Sequence, residues 1–257
     1  MSENLRQHIL QGLDRNVRLD GRKKEDYRPI HIEYDVSRSA EGSARVHCGE
    51  TDVIAGVKMK TEKPYDDTPD KGNLMVNAEL IPMASPEFEV GPPSDWSIEV
   101  ARITDRGIRE SGALEPKTLC IESGKLVWSV MVDVISVNDA GNLLDMAGLS
   151  ALASLTVAKY PGVKNGSVDY EVKTDKGVTL ASKPIPVTIW KIGKHLIVDP
   201  LPEEEKVMDA RLTITTTEDE TIVALQKGGE VPLTVDEIDT MVGMAMGVAK
   251  KLRTLLR

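Results

Sequence analysis

Three groups of residues have types and spacings that could do chemistry. The first is the segment Asp133 to Leu155, DVISVNDAGNLLDMAGLSALASL, which reads as a strand, a glycine turn and a buried helix. Unpaired backbone N–H groups at such a helix start favour an incoming phosphate. A working phosphate site adds a hydroxyl and an arginine in the same turn, because a bidentate guanidinium supplies charge and orientation together. Here Asn142 and Leu143 follow Gly141, and neither carries a positive charge. On its residues alone the segment also reads as a plain strand-to-helix connection.

The second group is Arg102, Arg106 and Arg109, on a helix whose start is marked by Ser94. At 3.6 residues per turn the three project within about 60° of one another. Such a row can follow a phosphate backbone, each contact neutralising one charge and releasing counterions. Glu99 and Glu110 sit at helical spacing from Arg102 and Arg106, so surface ion pairs worth about 0.2–0.5 kcal/mol each are the competing reading. The third group is the acidic run from Asp199 to Asp209, a loop leading into a strand. Carboxylates so placed could hold Mg²⁺ or protonate a leaving group, and such loops are also commonly just solvated.

The elements that must position these residues follow from periodicity. Leu5, Ile9 and Leu13 share the face of a first helix, which the R-L-D-G-R turn at Arg18 to Arg22 follows. Extended segments are expected over Ile30 to Val36, Ser43 to His47 and Asp52 to Met59, the last two joined in hairpin fashion through Cys48-Gly49-Glu50-Thr51. Lys63 to Gly72 reads as a loop, Asn73 to Leu80 as a strand, and Ser94 as the N-cap of a helix running to about Ser111. Leu126 to Val137 is too β-branched for a helix. Further strands are expected over Val168 to Val172, Ile185 to Ile192, Leu196 to Val198, Leu212 to Thr216 and Thr221 to Gln226. A last helix opens on the capping box Thr234 to Glu237, with Ile238, Met241, Val242, Ala245, Val248, Ala249, Leu252 and Leu255 on one apolar face. Strands in two groups, each followed by helices, indicate an α+β fold of two mixed sheet-and-helix layers.

Composition narrows the function. A chain of 257 residues with 40% hydrophobic and 28% charged residues can bury a substantial core. Its net charge of −9 argues against nucleic-acid binding over the whole surface, so any RNA contact must be local. Cys48 and Cys120 have no metal-like spacing and read as buried thiols. The histidines His8, His31, His47 and His195 lack zinc-site spacing, so no metal and no cofactor are expected. No apolar stretch is suited to a bilayer and no signal-peptide core stands at Met1 to Leu13, so the expected location is cytoplasmic, without a membrane partner.

These pieces, in this order, resemble the ribonuclease PH family over nearly the whole chain. The resemblance rests on R-L-D-G-R at Arg18 to Arg22, G-S-A-R-V-H-C-G-E-T at Gly42 to Thr51, the helix bearing Arg102 and Arg106, the turn at Asp139 to Gly141, and Met208-Asp209. It implies a ribonuclease PH-like fold, of the ribosomal protein S5 domain 2-like kind. One domain over residues 1–257 is expected, with a helix at 2–13, an N-terminal half at about 28–160 and a C-terminal half at about 161–257. Active members bind the attacking phosphate with a Gly-(Ser/Thr)-Arg turn, which here is Gly141, Asn142 and Leu143. Losing one preorganised donor costs such a site about 2.7–4 kcal/mol of transition-state stabilisation. Asp209 matches the family's catalytic aspartate, and Glu203 the place of a second metal-binding carboxylate in bacterial members.

More closely, the chain resembles the non-catalytic ring subunits of the archaeal RNA-degrading exosome. It implies a ring of three heterodimers with an active ribonuclease PH-like paralogue, whose active site this chain would help to structure. It also implies RNA-binding cap subunits and single-stranded RNA drawn along a path lined by Arg102 and Arg106, with Arg109 added on helical phase. The alternative is a phosphate-dependent 3'-5' exoribonuclease that uses Asp209.

Overall fold

The computed structural model describes residues 2–164 and 167–257. Helix α1 (Ser2–Asp14) precedes a sheet built from β1 (Ile30–Tyr34), β2 (Gly42–Cys48), β3 (Thr51–Glu62), β4 (Asn73–Leu80), β5 (Cys120–Glu122) and β6 (Leu126–Asn138). Its strand order is β1-β2-β3-β6-β4, with β5 paired to β6. All pairs are antiparallel except β4 with β6, because α2 (Asp95–Glu110) carries the chain back between them. From Val53 onward in β3 and from Val130 onward in β6 the burial alternates, and Val53, Ala55, Val57, Met59, Val130, Val132 and Val134 point to the core.

Against that face lies α3 (Leu143–Thr156), buried over Leu143 to Leu155. A helix that is apolar all round needs protein on both sides. The second side is a four-stranded sheet ordered β10-β9-β11-β12, from β9 (Ile185–Ile192), β10 (His195–Val198), β11 (Ala210–Thr216) and β12 (Ile222–Gly228). Pro186 of β9 presses on Gly148 of α3, and Thr188 donates to Asp145 of α3. The opposite face of β9 turns to α5 (Val235–Arg253), whose Glu237 pairs with Lys191. The capping box at Thr234 and Glu237 forms as expected. Met241, Ala245, Val248, Ala249 and Leu252 are buried, whereas Leu255 lies past the helix end and is exposed. One large core joins both sheets, α2, α3 and α5; a smaller cluster of Ile9, Leu13, Trp190, Ile192, Ile197 and Val207 seats α1.

Three elements go beyond the periodicity. The strand β7 (Lys159–Lys164) pairs with β8 (Ser167–Gly177) in a separate two-stranded ribbon, where Pro161 and Gly162 hide it from a sequence reading. Both β5 and the single-turn helix α4 (Pro202–Glu205) are too short to show a period. Both cysteines are free thiols, as expected, yet only Cys48 is buried; Cys120 is partly exposed.

Candidate functional site

The turn between β6 and α3 is held from outside. Gly141 has φ +91°, and a Cβ there would stand 2.3 Å from the carbonyl oxygen of Pro200, so the acidic loop lies directly on the turn. The carbonyl oxygen of Gly141 accepts from Thr51 Oγ1 at 2.7 Å and from Arg28 Nη2 at 3.0 Å, while that of Ala140 accepts from Arg28 Nη1 at 2.7 Å. Arg28 in turn donates three hydrogen bonds to Asp199, from its backbone N at 2.8 Å, Nε at 2.9 Å and Nη2 at 2.6 Å. Arg22 adds a fourth at 2.6 Å. Burial would raise the Asp199 carboxyl, but the Arg28 guanidinium holds it below the usual carboxylate range. The R-L-D-G-R arginines therefore brace the fold: Arg18 is buried against Glu204, and Arg22 against Asp199.

The helix start itself is taken. Asn142, at φ +60°, is fully buried, and its backbone N–H donates to Glu205 Oε1 at 2.8 Å. Burial pushes the Glu205 carboxyl up to about 8, opposed by the Asn142 amide and seconded by the nearby Asp139. Leu143 is 2% exposed and belongs to the core. At the two positions where the resemblance implies a hydroxyl and an arginine in active members, this turn presents a buried amide and an aliphatic side chain.

The three adjacent glutamates of α4 go to three different places: Glu203 to solvent, Glu204 to Arg18 and Glu205 to Asn142. Asp209 faces α1, where its Oδ2 accepts from Arg6 Nη2 at 2.9 Å and from the Gly193 backbone N at 2.6 Å. Among the described residues no group of histidine, cysteine, aspartate or glutamate side chains converges to hold a metal ion.

The arginine row divides. Ser94 caps α2 by accepting from the Ser97 backbone N, which fixes the helix phase. Arg102 and Arg106 line a shallow groove with Thr213 and Thr215 of β11 and Ala224, Leu225 and Gln226 of β12. Among the described residues neither has a hydrogen bond or an ion pair, since Glu99 turns instead to Arg211 at 2.6 Å. Arg109 is bound by Asp105 through Nε at 2.9 Å and Nη2 at 2.7 Å, and Nη2 also donates to the Leu74 carbonyl at 2.8 Å. Helical phase put three guanidinium groups on one face; their neighbours leave two of them unpaired. Sequence reasoning missed Arg28, Asp199 and Glu205 as parts of this site. Arg28 carries no signal, and Glu205 cannot be told from Glu203 or Glu204 in one dimension.

Known proteins match this arrangement along almost its whole length. The chain is 44% identical to the exosome complex component Rrp42 of Archaeoglobus fulgidus, over 96% of this chain and 94% of that protein. It is likewise 44% identical to the protein of that name from Thermococcus onnurineus, over 98% and 94% respectively. A chain of the Archaeoglobus fulgidus exosome with RNA bound to the active site superposes with a TM-score of 0.92 at 43% identity, covering 98% of each chain. A chain of an archaeal exosome core gives 0.87 at 40% identity, over 98% of this chain and 96% of that one. Domain 1 of the 3' exoribonuclease family (RNase PH) matches residues 26–161 and domain 2 matches residues 183–248, so the two sheet-and-helix units around α3 are those of that family, and the chain belongs to it.

Proposed function

We propose that this chain is a non-catalytic subunit of an archaeal exosome ring. In this reading it alternates with a catalytic ribonuclease PH-like paralogue in three heterodimers, beneath RNA-binding cap subunits. It buttresses the partner's active site and holds single-stranded RNA by its phosphates. The observation that carries the reading is the turn at Gly141 to Leu143: none of its own side chains is a cation, the neighbouring Arg28 guanidinium is spent on Asp199 and the turn's carbonyls, and the Asn142 amide is already bonded to Glu205. Without a site for the attacking phosphate, an acid elsewhere has no nucleophile to assist. The names and contents of the similar structures support the setting.

Arg102 and Arg106 are the residues assigned to RNA. They are two unpaired guanidinium groups on a groove, on a chain of net charge −9 that must confine any RNA contact to a patch. Arg109 is assigned a lesser share, because phosphate must compete there with Asp105. Phosphorolysis through Asp209 is the reading the geometry favours less, since that carboxylate is engaged by Arg6 and Gly193.

The test is to incubate the purified chain, alone and in the co-expressed complex, with RNA and inorganic phosphate. Nucleoside diphosphates are expected from the complex and not from the chain alone. Their release by the chain alone would overturn the reading.

A further inference from the structure

The groove beside Arg102 and Arg106 carries polar groups of more than one kind. Cross-strand pairing sets Thr213 of β11 opposite Gln226 of β12, Thr215 opposite Ala224 and Arg211 opposite Gly228, so these residues share the face turned to α2. Most of their polar groups are spent or out of reach. Thr213 is buried, and its hydroxyl is shared with that of Thr188 at 2.9 Å. Thr215 is buried beneath Gly107, where an added Cβ would meet its Cγ2 at 3.2 Å. Two residues further along the strands Arg211 closes the groove: it lies between the rings of Trp96 and Trp190, passes over Gly228 and donates to Glu99 at 2.6 Å.

Gln226 differs from all of these. It is partly buried and stands on the outer strand of its sheet, and among the described residues its carboxamide has no hydrogen-bond partner. The groove therefore offers an incoming strand two guanidinium groups, which only donate, and one carboxamide, which both donates and accepts. Phosphate oxygens satisfy the guanidinium groups but use only the donor half of the carboxamide. A ribose 2'-hydroxyl, itself a donor and an acceptor, matches both halves and recurs beside every phosphate of RNA. Deoxyribose presents nothing at that place.

We propose that Gln226 is the sugar-reading residue of this groove: its carboxamide hydrogen-bonds the 2'-hydroxyl of a nucleotide whose phosphate is held by Arg102 or Arg106, so the chain selects ribonucleotide over deoxyribonucleotide strands. This rests on the RNA path proposed for the two arginines and adds selectivity to it. The arginines supply affinity that any phosphate backbone receives, and the carboxamide supplies the difference between the two sugars.

The test uses the co-expressed complex in buffer free of inorganic phosphate, which protects the strands from phosphorolysis. Filter binding gives its affinity for single strands of one sequence made as RNA and as DNA. The wild type should prefer RNA. Gln226→Met, of similar length but without the amide, should cut that preference at least about threefold, as the loss of one net hydrogen bond implies, and should leave DNA affinity unchanged. Gln226→Ala should do the same, and it provides the reading if the methionine variant does not assemble. Equal wild-type affinity for the two strands, a preference unchanged in either assembled variant, or DNA affinity that falls in step with RNA affinity would overturn the proposal. The outcome is separable from the functional reading, because Arg102→Glu with Arg106→Glu should weaken RNA and DNA binding together. If it does so while the preference survives Gln226→Met, only the role of Gln226 falls; if RNA affinity ignores both arginines, the RNA path falls and the proposal with it.

Discussion

Arg28 grips Asp199 through its backbone N, Nε and Nη2 while its remaining donors hold the carbonyls of Ala140 and Gly141, so one buried ion pair ties the first strand region to the acidic loop and to the turn before α3. Removing one partner of a buried pair is more damaging than replacing both, because the survivor is left charged and dry. Arg28→Met is therefore expected to destabilise the chain by about 3 kcal/mol, the lower end for such pairs because Arg22 still reaches Asp199. Urea unfolding of Arg28→Met, Asp199→Asn and the double variant checks this. The double variant should lose less than the sum of the singles, and strictly additive losses would count against a coupled pair.

The close approach at Gly141 sets a second expectation. A left-handed backbone conformation costs a non-glycine residue about 1–2 kcal/mol, and here a Cβ would also meet the Pro200 carbonyl at 2.3 Å. Gly141→Ala should thus lose at least about 2 kcal/mol, a fall in Tm of roughly 5 °C or more. A thermal midpoint within a degree of the wild type would show that the acidic loop does not bear on the turn.

Asp145 gives a dependence on pH. Burial raises its carboxyl to about 7, even though the Tyr27 hydroxyl and Thr188 donate to it. The native state therefore holds this proton more tightly than the unfolded chain, where an aspartate titrates near about 3.9. Stability from this group is fully present below the unfolded value, declines as pH rises toward about 7, and is flat above. Asp145→Asn should gain on the wild type across that window and hold its lead beyond it. The measurement is the difference between the two unfolding free energies from pH 5 to pH 8; a difference that does not change with pH would refute it.

For the RNA groove, Arg102→Glu with Arg106→Glu should leave ring assembly intact and weaken RNA capture by the assembled complex by at least about tenfold. Each lost phosphate contact on a single strand lowers the salt slope by about 0.7, so the slope of log K against log salt should flatten by about 1.4. Arg109→Glu alone should do less, because that guanidinium is already paired with Asp105. Filter binding across a salt series separates these outcomes, and an unchanged slope in the double variant would remove both arginines from the RNA path.

Most of the architecture was legible in one dimension because it depends on local spacing. The two-residue alternation of β3 and β6, the helical periods of α1, α2 and α5, and the caps at Ser94 and Thr234 all lie within a few residues of one another. So does the composition of the turn, where Asn142 and Leu143 carry no positive charge. What β7, β5 and α4 lack is length or a clean pattern, and those were missed.

What only the tertiary structure decided is where the charges go. Residues far apart in sequence bring Arg6 to Asp209, Arg28 to Asp199 and Glu205 to Asn142, whereas Asp105 takes Arg109 out of the row from one helical turn away, a pairing that the spacing itself allows. The reason is physical: periodicity gives the direction of a side chain from its own element, whereas its partner, its burial and its ionisation depend on which other element packs there. The sequence determined that this turn has no arginine; the packed fold determined that the vacant donor is filled by the chain's own carboxyl.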